Sequence, residues 1–244
     1  MIFNETNFYF HNSIVILSFV KNILIKFRET VIMFSILKGD NLTMIKLLDD
    51  IYTWSVFSDE KQLNFNGWFI QNQSSSFGNV VIDPPQPSEK DLTQMQEMGG
   101  VQQIIITNQH HLRRASVILE KFNSKLQINS ADSGKIELNC DSNFSNREIL
   151  AGLLKAVVVP NNKTPGDTAI YWAKRNILFV GDALIGDPPG RLRLLPEKMY
   201  ADIQRTRDGI KTLMDLDFDT LLVGDGDSIL SGAKTAVAEF INSN

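Results

Sequence analysis

The sequence predicts an α/β protein built as a four-layer αββα sandwich, and three observations carry that expectation. Two aromatic and β-branched runs flanking a polar turn read as a hairpin, a β-α-β-α run follows, and a second hairpin followed by βα units fills the rest. Two halves of this kind bury their apolar faces best as two sheets packed together with helices outside each. A single domain is expected over 44–244. Residues 1–43 are read as an extension, either a misassigned start or a disordered segment, with Met33 and Met44 as alternative first residues.

The elements follow in order. Ile51 to Phe57 and Leu63 to Gln71 are strands separated by Ser58-Asp59-Glu60-Lys61, good turn chemistry. Asn79 to Ile82 is a short strand stopped by Asp83-Pro84-Pro85, because proline cannot continue a ladder. Ser88 with Asp91 three positions on predicts a capped helix to about Met98, ended by Gly99-Gly100. Gln102 to Thr107 is the next strand, and a helix is expected from about His110 to Phe122; this run implies a parallel strand pair. Lys125 to Asn129 precedes polar turns at Asp132-Ser133-Gly134 and Asp141-Ser142-Asn143. Strands are expected near Lys155 to Val159, Ala169 to Trp172 and Asn176 to Val180. Pro196 is placed in the first turn of a helix running to about Leu216, followed by a buried strand, Thr220 to Val223, and a closing helix, Ser231 to Ile241.

Composition narrows the partners. A formal charge of -4 with scattered basic residues points away from nucleic acid and anionic membranes. Phe8 to Val20 is apolar, but Lys21, Lys26 and Arg28 interrupt it short of the roughly 20 residues that a membrane helix needs. It also lacks the charge order of a secretory signal. The single cysteine, Cys140, excludes an internal disulfide and any Cys-rich zinc pattern, so a reducing, cytoplasmic setting is expected.

Chemistry gathers where strands end. Thr107-Asn108-Gln109-His110-His111-Leu112-Arg113, Lys163-Thr164-Pro165-Gly166, Gly181-Asp182 and Gly224-Asp225-Gly226 occur in that order. Together they resemble the ligand loops of the metallo-β-lactamase superfamily, which reads T-H-x-H-x-D-H, H-T-P-G, G-D and G-H-G. The resemblance covers about Ile45 to Asn244. It implies the αββα fold and a hydrolase that attacks esters, amides, thioesters or phosphoesters with metal-activated hydroxide.

Carried over position by position, the family's first two histidines fall on Asn108 and His110, its aspartate on Leu112 and its last histidine of that motif on Arg113. The histidines of H-T-P-G and G-H-G fall on Lys163 and Asp225, and the bridging aspartate on Asp182; His111 has no ligand role in the family pattern. The whole chain holds three histidines, so the resemblance does not supply a standard binuclear zinc site. Leucine offers no donor, and protonated lysine and arginine repel a dication.

An ion-pair cluster is the expected replacement: Arg113 and Lys163 balance Asp182 and Asp225, one cation per carboxylate. No cofactor is the first expectation. The alternative is one divalent ion, zinc, manganese or iron, on His110, Asp182 and Asp225 with help from His111 or Asn108. Asp83 is read in two ways, as a group orienting His110 or His111 and as a turn residue before prolines.

Three functions stay open. A mononuclear or metal-independent hydrolase would use His110 or His111 as general base near Asp182, with Arg113 and Lys163 stabilising an oxyanion. A binding or scaffold protein would hold a small anionic ligand through the same cations. A sealed cluster would be structural only.

Overall fold

The computed structural model describes residues 44–72 and 76–243, and the apolar run Phe8 to Val20 lies outside them. The first sheet has seven strands in sequential order: β1 (Ile45–Leu48), β2 (Ile51–Ser58), β3 (Leu63–Ile70), β4 (Val80–Ile82), β5 (Gln103–Ile106), β6 (Lys125–Asn129) and β7 (Ser142–Phe144). β2 and β3 form the expected hairpin, in register from Ile51 opposite Ile70 to Ser58 opposite Leu63. From β4 to β7 the pairing is parallel, as crossover connections require. The second sheet runs β14-β11-β10-β9-β8, with β8 (Ile149–Leu150), β9 (Leu154–Val158), β10 (Thr168–Trp172), β11 (Ile177–Val180) and β14 (Thr220–Val223). β12 (Ile185–Gly186) and β13 (Leu192–Arg193) pair separately.

Strand periodicity explains the layers. Phe69, Val81, Ile104, Ile106, Leu126 and Ile128 face the helices α1 (Glu89–Glu97) and α2 (Ala115–Phe122), meeting Leu92, Met95, Ala115 and Ile118. On the second sheet Leu178, Val180, Leu221 and Val223 pack against Ile210 of α4 (Ile203–Lys211) and Val237 and Phe240 of α5 (Ala233–Asn242). The alternate residues fill the space between the sheets, where the Trp68 and Phe179 rings meet edge to face with centroids 6.1 Å apart. The Thr168 amide donates to the Thr107 carbonyl at 2.9 Å and ties the two sheets at the end that carries the polar loops.

Local signals decide most boundaries. Ser88 and Asp91 form both halves of the capping box at the start of α1. Three expectations are corrected. The stretch expected as one helix from His110 splits into a 3-10 turn, Gln109–Leu112, and α2, because the Arg113 backbone at φ 39° and ψ -107° breaks the run. The helix expected from Pro196 starts instead at Ile203, where the Asp202 side chain accepts from the Gln204 and Arg205 amides; Pro196 leads only a short turn, Glu197–Met199. Of the two polar turns, Asp132 lies in a short helix, α3 (Ser130–Ser133), and Ser142 and Asn143 belong to β7, which gains its ladder from β6 despite a polar sequence.

Gly209, inside α4, tests this packing. Alanine is the better helix former by about 1 kcal/mol, yet a Cβ at Gly209 would stand 1.9 Å from the Pro160 carbonyl oxygen. Gly209→Ala should therefore lower stability by about 1–3 kcal/mol in urea unfolding. A stabilised variant would refute the close approach of α4 to Pro160.

Candidate functional site

The polar loops of both sheets converge on one buried cluster, and its innermost member is Asp83. Held at φ 49° just past β4, Asp83 receives the Thr107 amide at 2.8 Å on one oxygen and the Thr107 hydroxyl at 2.6 Å on the other. The second oxygen also lies 2.8 Å from His111 Nδ1, so of the two histidines Asp83 orients His111. The 3-10 turn explains the choice: it turns the His111 ring inward, where only 2% of the residue is exposed, and leaves His110 on the surface. His111 Nε2 points toward Asp182 Oδ1 at 3.6 Å. The Gly224 backbone closes the other side; a Cβ there would meet the His111 ring at 2.6 Å.

Two further ion pairs complete the cluster. Lys163 Nζ donates to Asp182 Oδ2 at 2.9 Å, and Asn108 Nδ2 approaches the same oxygen at 3.2 Å. Arg113 Nη2 donates to Asp225 Oδ1, while Nη1 donates to the Asn66 carbonyl at 3.1 Å and the guanidinium stacks 4.7 Å from the centre of the Phe65 ring. Each organic cation thus meets one carboxylate, the pairing that charge accounting calls for. The balance is wider than two against two: His111 joins as a third cation and Asp83 as a third anion.

These contacts set the protonation states. Burial and the Arg113 guanidinium oppose charge on His111, but the Asp83 and Asp182 carboxylates outweigh them and push its pKa up to about 10. Burial works against ionised Asp182 as well, yet His111 and Lys163 hold its carboxyl well below the usual range. For His110, burial and then the Lys163 charge lower the pKa, which keeps that ring neutral near pH 7.

Asp132 was read only as part of a polar turn, and Asp167 was not singled out. Asp132 is a strut: it accepts from the Gln109 amide at 3.0 Å, the Thr164 hydroxyl at 2.6 Å and the Gly166 amide at 3.0 Å, joining three loops. Its place directly after β6 was the available signal. Asp167, fully buried, finds no hydrogen-bond partner for either side-chain oxygen among the described residues. Burial, and then the Asp182 charge, hold it well above the ordinary carboxylate range, which favours its protonated form. Asn66 was also missed; its amide donates to the Val223 and Gly226 carbonyls at 2.9 and 2.8 Å and fixes the loop that presents Asp225.

A pair of zinc ions does not fit these side chains. Lys163 and Arg113 each occupy one oxygen of Asp182 and Asp225, Leu112 supplies no donor, and His110 lies on the surface. The histidine grouped with Asp182 and Asp225 is His111, not His110 as residue matching suggests: donor atoms of His111, Asp182 and Asp225 lie within 4.8 Å of one another. Arg191 and Arg193 stand apart from the cluster's ion pairs, and Arg193 Nε pairs with Asp187 at 2.7 Å.

Comparisons with known proteins agree on the fold. Residues 45–244 match the family model described as the metallo-beta-lactamase superfamily. Among solved structures, a metallo-beta-lactamase from Pontibacter korlensis aligns at TM-score 0.66 and 14% identity, over 83% of this chain and 100% of that one. One from Erythrobacter litoralis aligns at 0.63 and 13%, covering 82% and 96%. A metallo-beta-lactamase family protein from Thermus thermophilus gives 0.58 and 15%, covering 80% and 79%. No curated protein matches the sequence.

The cluster makes stability depend on pH and on each partner. The His111 pKa is raised on folding, so its contribution is complete below the unfolded value of about 6.5 and is lost as pH rises through about 10. Proton NMR should find the His111 ring still charged at pH 8 and the His110 ring neutral, and unfolding free energy should decline from neutral pH toward 10. Lys163→Ala strands the Asp182 carboxylate and should cost about 3 kcal/mol in urea unfolding. Asp167 binds a proton in the folded state that the unfolded state releases above about pH 4. Asp167→Asn should therefore raise stability at pH 7, and an unchanged or lower value would contradict the neutral assignment.

Proposed function

Because the chain belongs to the metallo-β-lactamase superfamily, we propose that it is a hydrolase-like protein in which an Asp/Lys/Arg/His ion-pair cluster stands where the family's binuclear zinc site would be, and that it serves as a non-catalytic binding or scaffold protein. One observation carries this reading. The carboxylates of Asp182 and Asp225 are each engaged by one cation, Lys163 and Arg113, and the buried carboxylates favour the charged form of the His111 ring, so the chain's own cations balance the acidic groups. A bound dication would have to displace the proton that Asp83 and Asp182 favour on His111.

The ligand this arrangement suits is a small anion. Lys163 keeps 13% of its side chain exposed against 3% for its partner Asp182, while Arg113 and Asp225 are exposed alike at 10% and 11%. Lys163 has three donors, of which Asp182 takes one. Cytoplasmic residence accords with the lone thiol of Cys140, and no helix among the described residues is long and apolar enough to cross a membrane.

A second reading has its own support. The close approach of His111, Asp182 and Asp225 favours one divalent ion and hydrolysis of an ester, thioester or phosphoester. Elemental analysis of protein purified without chelator, then incubated with zinc, manganese or iron and dialysed, separates the two. The expected result is substoichiometric metal and no turnover of carboxylic ester, thioester or phosphoester substrates above a chelator-treated control. About one ion per chain with turnover that chelator abolishes would establish the hydrolase instead.

A further inference from the structure

We infer that Asn66 and Gly67 form a site of spontaneous deamidation that the native fold keeps closed, and that conversion in an opened chain removes the anchor of the loop carrying Asp225. Asn66-Gly67 is the one Asn-Gly pair in the sequence. Such a pair is chemically labile, because glycine has no side chain to shield its amide nitrogen or to stop the backbone from folding back on the asparagine.

The fold demands both residues. A Cβ at Gly67 would stand 2.6 Å from Pro85 Cδ and 2.7 Å from the Trp54 ring, whose Nε1 donates to the Pro85 carbonyl at 3.2 Å. Asn66 is buried, and every polar group it has is engaged. Its side-chain nitrogen donates to the Val223 and Gly226 carbonyls, and its side-chain oxygen accepts from the Ser55 hydroxyl at 2.7 Å. Its main-chain amide donates to the Gly224 carbonyl at 2.8 Å, and its carbonyl accepts from Arg113. Packing therefore excludes a side chain at Gly67, and the loop needs a donor amide at Asn66, so the labile pair is a consequence of the architecture.

In the reaction the Gly67 nitrogen attacks Asn66 Cγ. The new N–C bond closes a succinimide, the bond from Cγ to Nδ2 breaks, and the Gly67 proton leaves with that nitrogen as ammonia. Water then opens the ring: cleavage of its bond to Cγ gives aspartate, and cleavage of its bond to the main-chain carbon gives isoaspartate.

Native geometry opposes the first step twice. Asn66 turns its main-chain amide and carbonyl toward Gly224 and Arg113, so by strand alternation Gly67 turns its own toward β2, where it pairs with Trp54. The attacking nitrogen is thus held in the ladder. The Asn66 side chain must also release its bonds to Ser55, Val223 and Gly226 before Cγ can be reached. Opening of the β2-β3 hairpin removes both restraints. Once formed, an aspartate at this position sets a carboxylate oxygen against the Val223 and Gly226 carbonyls, acceptors facing an acceptor in a buried place. The loop that presents Asp225 to Arg113 then loses its tie to β3.

The test ages the full chain at mildly alkaline pH, in buffer and in urea, and reads the peptide containing Asn66 by mass spectrometry for the amide-to-acid mass gain and for isoaspartate. In urea, Asn66 should convert ahead of every other asparagine; in buffer, its conversion should be at least about tenfold slower. Ser55→Ala, which frees the Asn66 oxygen, should convert faster in buffer than the wild type. Asn66→Asp, expressed directly, should have a lower thermal midpoint than the wild type or fail to fold. Equal rates in buffer and urea would overturn the protection by the fold, and another asparagine reacting first in urea would overturn the assignment of the site. An Asn66→Asp chain as stable as the wild type would overturn the loss of the anchor.

Discussion

Buried aspartates must be matched by cations or hydrogen-bond donors, and that constraint shapes the centre of this molecule. Asp83, Asp182 and Asp225 sit at strand ends between two sheets, where an isolated carboxylate costs several kcal/mol or takes up a proton. His111, Arg113 and Lys163 answer them one for one. Where compensation stops, the proton is favoured: neither Asp167 side-chain oxygen has a hydrogen-bond partner among the described residues, and its carboxyl is held well above the ordinary range. One electrostatic rule thus accounts for a depressed carboxyl, a raised imidazole and a raised carboxyl close together in the fold.

The sheets make such matching feasible because the charged groups arrive from the ends of several rigid strands. Asp83 follows β4, the segment from Asn108 to Arg113 follows β5, Asp182 follows β11 and Asp225 follows β14. Only Lys163 comes from a loop between antiparallel strands, β9 and β10, and Asp132 braces that loop through Thr164 and Gly166. A side chain on a strand end has little freedom to relax away from its partner, so the cluster is preorganised. Asn66 serves the same end from β3, since its amide holds the loop that carries Asp225.

Much of the fold was legible because apolar alternation and turn chemistry are local. The β2-β3 hairpin, the Ser88 cap and the three strands β5, β6 and β14 are written in short windows. β7 was hidden because Ser142 and Asn143 are polar and gain strand geometry only from β6. The helix expected from Pro196 failed for a related reason: the Asp202 cap outcompeted a proline that was merely permissive. In the site, charge accounting matched Arg113 and Lys163 to Asp182 and Asp225, and the fold decides which cation meets which carboxylate. Charge accounting missed Asp132, Asp167 and Asn66, whose importance lies in surroundings brought together from distant parts of the chain and leaves no mark in a local pattern.

The exchange of His110 for His111 shows why residue matching alone could not finish the site. Adjacent residues on a tight turn point in different directions, and the 3-10 geometry of Gln109–Leu112 gives the inward direction to the second histidine. Asn108 enforces that geometry by accepting the His110 amide at 2.8 Å on its side-chain oxygen, while its nitrogen reaches Asp182. A histidine in place of Asn108 would lack that carbonyl oxygen, so the amide at this position and the imidazole at His111 are a coupled choice. Arg113, two residues on, then has to leave helical geometry to reach Asp225, and the break in the helix is the backbone's share of the same electrostatic demand. The local irregularity and the charge balance therefore have one cause: the chain bends where it must to bring its own cations to buried carboxylates.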